Sequence, residues 1–218
     1  MSKRTLIKGG IVLTQDPKLG ELPNADILVE DDRIEAVGQN LDAADAEVID
    51  ATRDIVIPGF VDTHRHTWET SIRTSAPDYT LGAYFGAILD KFAPNYRPDD
   101  VYAGNLWGSL ECINAGITTL VDWSHIMNTP DHADEAVRGL KDSGIRSVFA
   151  FGFPNTSIQA WWFGPDYGGS VERIDGDQAR RIRSQYLSDD RGLITMALAT
   201  RGTNFCKEDV VRYEWELA

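Results

Sequence analysis

Ile57-Pro58-Gly59-Phe60-Val61-Asp62-Thr63-His64-Arg65-His66 is the stretch on which the reading of the whole chain turns. Pro58-Gly59 interrupts what precedes it, and Phe60 to His64 is a short β-rich run. Side chains alternate along a strand, so His64 and His66 point to the same side of its end. Two imidazoles so placed can share one metal ion, and neutral imidazole suits zinc, iron, nickel or copper. Two unrelated loop histidines, or a satisfied core pair, would show the same spacing. The chain has 4 histidines in all, and two of them stand here.

Upstream, residues 1–57 read as short strands. Thr5 to Lys8 and Gly10 to Leu13 flank a Gly9-Gly10 turn, and Ile27 to Glu30 and Arg33 to Val37 flank an Asp31-Asp32 hairpin connection. Ala46 to Ile49 and Asp54 to Ile57 complete a small, half-exposed antiparallel sheet, expected as a minor β domain beside a larger body. Downstream, helices are expected over Leu81–Lys91 and Pro98–Ala115, then a strand over Ile117–Asp122 and a helix over Pro130–Ser143. Strands over Ile145–Phe151 and Leu193–Ala199 and helices over Asp175–Leu187 and Glu208–Ala218 follow. Strand and helix thus alternate through residues 58–218, which predicts a parallel sheet, either doubly wound or a (β/α)8 barrel. In a barrel the aromatic-rich insert from Phe153 to Val171, with Trp161 and Trp162, falls on the face that carries active sites.

Composition narrows the function. Lys plus Arg number 21 and Asp plus Glu 34, a net charge of −13 that repels phosphate backbones and anionic membranes. Neither nucleic acid nor a membrane is expected as a partner. No apolar run approaches the ~20 residues that span a bilayer, and the basic start has no apolar segment behind it, so no signal peptide is read. Cys112 and Cys206 are far apart and suggest no disulfide framework, which predicts the reducing cytoplasm.

Pro58 to His66 resembles the first-strand signature of the amidohydrolase superfamily. The preceding Asp54-Ile55-Val56-Ile57-Pro58-Gly59 resembles that superfamily's N-terminal β-sandwich half, and Ala115-Gly116-Ile117-Thr118-Thr119-Leu120-Val121-Asp122 its second barrel strand. The likeness is closest to the cytosine-deaminase, atrazine-chlorohydrolase and guanine-deaminase branch. It implies the N-terminal half of a (β/α)8 barrel over residues 58–218, with four βα units and the chain ending before strand five. It implies that His64 and His66 bind one divalent metal, zinc first and iron second, and that a metal-activated hydroxide deaminates a cyclic amidine or amino-heterocycle. Hydrolytic dehalogenation or amide cleavage on the same scaffold is the alternative, as is a fragment with no activity of its own. The family's later ligands, from strands five, six and eight, are expected beyond Ala218, and general acid and base groups with them. Leu193 to Arg201 holds neither Lys nor Glu, which argues against a metal pair bridged by a carboxylated lysine. A His-x-Glu with Pro-Cys-x-x-Cys, the signature of the other zinc deaminases, is absent.

Other candidates follow from position. Trp123 and His125 follow the second strand, Trp68 and Arg73 follow the histidine pair, and Arg201 and Asn204 follow the fourth strand; all six are read as substrate contacts. Trp161 and Trp162 are read as a lid over a planar ring, or equally as a subunit contact. His132, in the first turn of a helix, is expected at the surface, and Asp62 is read as structural. A small planar N-heterocycle or amidine is the expected partner, and a homo-oligomer is compatible with the sequence. The residues after position 57 fall well short of the about 250 a complete barrel takes, the second sign of half a barrel.

Overall fold

The computed structural model describes residues 3–154, 173–203 and 205–218. The chain divides into two compact units, Met1–Gly59 and Phe60–Ala218.

The first unit is a five-stranded sheet. β1 (Arg4–Leu13) pairs antiparallel with β2 (Glu21–Glu30), which pairs antiparallel with β3 (Arg33–Gly38) across the Asp31-Asp32 turn. β4 (Glu47–Asp50) and β5 (Ile55–Val56) run parallel to β1, so the sheet is mixed and not antiparallel throughout. The expected turn at Gly9-Gly10 is instead an irregularity inside one continuous strand. The register shifts between Ile7 and Gly10, and Gly9 sits at φ 78° with its N–H donated to the buried Asp26 carboxyl at 2.9 Å. A bulge of this kind keeps the strand running while re-aiming it, which a Gly-Gly pair allows as readily as a turn. Two small apolar clusters, around Leu6 and Leu28 and around Val12 and Ile27, pack the sheet.

In the second unit β6 (Phe60–Arg65), β7 (Ile117–Ser124), β8 (Arg146–Phe151) and β9 (Ile194–Leu198) form a parallel sheet in that order. Between β6 and β7 run a 3-10 helix over Thr67–Ile72, the short α1 (Leu81–Tyr84), a π-helical segment over Phe85–Phe92 and α2 (Pro98–Asn114). The helix expected over Leu81–Lys91 therefore exists but is wound mostly in the wider form. α3 (Pro130–Ser143) joins β7 to β8, α4 (Gly176–Tyr186) precedes β9, and α5 (Glu208–Leu217) follows it.

The helix ends carry the chemistry their sequences offered. The Asp100 carboxylate accepts from the Arg97 backbone N–H before Pro98, Gly144 ends α3 at φ 74°, and the Asp175 carboxylate accepts from the N–H groups of Asp177 and Gln178. The core lies where the sheet meets its helices: Leu120 and Phe149 are buried against Ala136, Val137 and Leu140 of α3 and Ile182 of α4. Cys112 and Cys206 are free and buried. Among the described residues no helix is long and apolar enough to cross a membrane.

Candidate metal and substrate site

The C-terminal ends of the four parallel strands converge on a cavity of about 290 Å³. β6 contributes His64, with His66 just past its end. β7 contributes Trp123 and, one residue beyond the strand, His125. Phe153 comes from beyond β8, and Thr200 and Arg201 from beyond β9. Larger hollows beside α5 and β9 hold no histidine.

The imidazoles of His64 and His66 lie 4.9 Å apart between centroids and are nearly perpendicular. His66 Nδ1 is 2.9 Å from the backbone oxygen of Trp123. A carbonyl only accepts, so Nδ1 carries the hydrogen and Nε2 keeps its lone pair. Burial pushes the His66 pKa below its ordinary value, outweighing the opposing pull of that hydrogen bond. A neutral imidazole with one nitrogen anchored to a carbonyl and the other open is the form in which histidine binds metal. The pair thus fits a divalent ion by donor chemistry. Among the described residues no third His, Cys, Asp or Glu joins it as a metal-holding group.

His125 packs 4.2 Å from His66 and stacks on Phe153, centroids 5.8 Å apart and 13° from parallel. Its pKa falls well below the ordinary value, first through burial and then through the neighbouring His66. The Arg201 guanidinium lies 3.8 Å from the centroid of the same Phe153 ring. One wall therefore combines a neutral imidazole, an aromatic face and a buried cation.

The other expected contacts fall differently. Trp68 is fully buried, edge-on to Tyr96 and His125, and does not line the cavity. As a large apolar ring directly under the site, it went to the core. Arg73 is turned away to pair with Glu111 and borders a separate hollow of about 230 Å³. His132 is buried and not at the surface: Nδ1 bonds the Thr129 hydroxyl at 2.7 Å and Nε2 the Tyr96 carbonyl at 2.9 Å. Asn204, Trp161 and Trp162 lie outside the described residues.

Leu81, Tyr84, Phe85 and Leu89 also line the cavity, although the sequence marks them only as part of a helix. Tyr84 donates its hydroxyl to Glu69, a carboxyl that burial lifts to about 7. A half-buried carboxyl in a run of mixed polar residues leaves no periodic trace, so nothing in the sequence marks this pair.

An α/β unit with histidines gathered at the C-terminal ends of parallel strands defines the class. The Amidohydrolase family model matches residues 55–213, and the chain belongs to that family. The chain is 32% identical over 204 residues to the 5'-deoxyadenosine deaminase of Methanosarcina acetivorans, covering 94% of this chain and 44% of that protein. It is 31% identical over 220 residues to the 5-methylthioadenosine/S-adenosylhomocysteine deaminase of Symbiobacterium thermophilum, covering 99% and 47%. In structure it matches the zinc complex of atrazine chlorohydrolase TrzN from Arthrobacter aurescens TC1 with a TM-score of 0.81. That match is 24% identical and covers 98% of this chain and 50% of that one. The chain spans about half the length of the relatives it matches.

Proposed function

We propose that this chain forms the metal-holding part of a hydrolytic deaminase acting on a planar amino-heterocycle. In this reading residues 58–218 are the first four βα units of a (β/α)8 barrel, and residues 1–57 belong to a β-sandwich-type domain. The observation that carries it is the His64–His66 pair at a cavity, with His66 held in the Nδ1–H form by the Trp123 carbonyl. The names of the two deaminase relatives support the choice of C–N bond and of substrate class.

His64 and His66 would hold one divalent ion, with zinc the first to test and iron the second. Bound there, it would supply Lewis acidity and a water activated near neutral pH. The chain's own residues do the rest. Trp123 offers an apolar face to a flat ring, Phe153 backs the wall by packing against His125 and Arg201, and His125, kept neutral, can exchange a hydrogen bond with a ring nitrogen or carbonyl. Arg201 brings positive charge to the same wall, which favours a ring bearing a carbonyl or other acceptor. Free, buried cysteines suit a reducing compartment, and cytoplasmic localisation is part of the proposal.

The test has two arms, the first on the 218-residue chain. Zinc stoichiometry is measured on the wild type and on His64→Ala/His66→Ala. One zinc per wild-type chain and none in the double variant is expected, and a wild type without zinc overturns the metal assignment. Adenosine analogues, guanine and chlorotriazines are then offered to a form extended by four further βα units, which carries the remaining ligands and the acid and base groups this reading expects. Ammonia release supports deamination, and halide release in its place overturns it.

A further inference from the structure

The Asp122 carboxyl is completely buried on β7, and none of the chemistry above uses it. One oxygen accepts the backbone N–H of Thr67 at 3.1 Å. The other accepts the Asn105 amide of α2 at 3.2 Å, and that amide also donates to the Ala136 carbonyl of α3 at 3.1 Å. Thr67 is the first residue of the 3-10 helix that follows the histidine pair, and the N-cap of that helix is His66.

An N-cap residue normally turns its own side chain back to accept from the first free N–H groups. His66 makes no such bond. Its ring is instead committed to Trp123, the residue next to Asp122 on the same strand. β7 therefore grips His66 twice. A backbone carbonyl fixes the ring, and a carboxyl fixes the peptide that follows.

We propose that Asp122 is a positioning residue for His66, capping the Thr67 helix from the neighbouring strand so that the imidazole is free to face the cavity. This rests on the reading of His66 as a metal ligand. A purely stabilising role accounts for Asp122 poorly. Complete burial lifts its pKa to about 6, so near neutral pH its charged form is held at a cost that an uncharged acceptor would avoid. What a carboxyl adds is two acceptor oxygens at fixed separation, which serve Thr67 and Asn105 together.

The test is Asp122→Ala in the full chain, which removes both acceptor oxygens and leaves the Thr67 N–H without its cap. Asp122→Asn, which can still accept from Thr67, is the conservative comparison and should recover most of the wild-type behaviour. Three quantities are read: thermal unfolding, zinc affinity by chelator competition, and the His66 tautomer by 15N–1H correlation spectroscopy without metal. Outer-shell partners of metal-binding histidines typically change affinity by about 10–100-fold, and a loss in that range is expected. The tautomer signal should also pass from one Nδ1–H form to a mixture. Zinc affinity of Asp122→Ala within about threefold of wild type, with the tautomer unchanged, overturns the proposal. If Asp122→Ala does not fold, Thr67→Pro removes the same N–H at a first helical position, where proline is tolerated. Wild-type zinc affinity and tautomer in that variant overturn the proposal equally. If the wild type itself binds no zinc, the metal reading fails, and the tautomer readout alone decides whether Asp122 positions the ring.

Discussion

His66 Nδ1 and the Trp123 carbonyl oxygen are 2.9 Å apart, joining the end of one strand to its neighbour through a side chain and not through the sheet's own ladder. The bond selects a tautomer, and burial selects a charge state. Both leave Nε2 as the nitrogen able to bind something in the cavity.

The first prediction concerns that charge state. Burial lowers the pKa of His66, and lowers that of His125 further. The unfolded chain takes up protons at these rings as pH falls through about 6.5, and the folded chain only below that. The stability the neutral rings contribute is therefore complete above 6.5 and lost below it, by up to about 1.4 kcal/mol per pH unit for each ring. In the metal-free chain, NMR titration should show both His66 and His125 protonating below pH 6.5, with His125 the last to protonate. Half-protonation of either at or above that pH contradicts the structure.

The second prediction has the opposite sign. Glu69, half-buried and bonded by Tyr84, is raised by desolvation from 4.5 to about 7. The folded chain then holds a proton that the unfolded chain has released, so this group's contribution is largest below 4.5 and declines as pH rises towards 7. Glu69→Gln keeps an acceptor for the Tyr84 hydroxyl and removes the titration. Its unfolding free energy relative to wild type should grow between pH 4.5 and pH 7, by as much as about 3 kcal/mol, and then level off. A difference that is flat across this range would count against the pair.

Close packing beneath the site supplies the third. A Cβ on Gly104 of α2 would lie 2.4 Å from the backbone oxygen of Trp68, whereas one on Gly82 of α1 would meet nothing within 4 Å. Gly104→Ala should cost roughly 1–3 kcal/mol, because a backbone carbonyl cannot swing aside as a side chain can. Gly82→Ala should be neutral or stabilising, since alanine is the better helix former. Denaturant midpoints of the two variants check both signs.

Much of this was open to sequence reading, for identifiable reasons. The strand–helix alternation after Pro58 and the placing of His64 with His66 depend on local periodicity, which survives into the fold. Trp123, His125 and Arg201 were reachable because the ends of parallel strands converge. Other features depended on long-range contacts. His132 looked like a surface residue because its helix position is all that sequence displays, while its burial comes from the Tyr96 carbonyl 36 residues away. Asp122 and Asn105 form a buried pair only when β7 meets α2. Gly9-Gly10 fits a turn or a bulge, and it is the pairing of β1 with β2 on both sides that selects the bulge.

The last prediction links metal to stability. A ligand that binds only the folded chain stabilises it by an amount set by its free concentration relative to Kd, about 2.7 kcal/mol at a hundredfold excess. If His64 and His66 hold zinc in the folded chain, the unfolding temperature should climb with added zinc and fall back on chelation. His64→Ala/His66→Ala should show no zinc-dependent rise, because both imidazoles that hold the ion in this reading are gone. His125→Gln gives the sharper comparison. His125 touches His66 but belongs to the substrate wall in this reading, so the variant should retain most of the zinc-dependent rise. Loss of the rise in His125→Gln as complete as in the double variant would move His125 from the substrate wall into the ligand set.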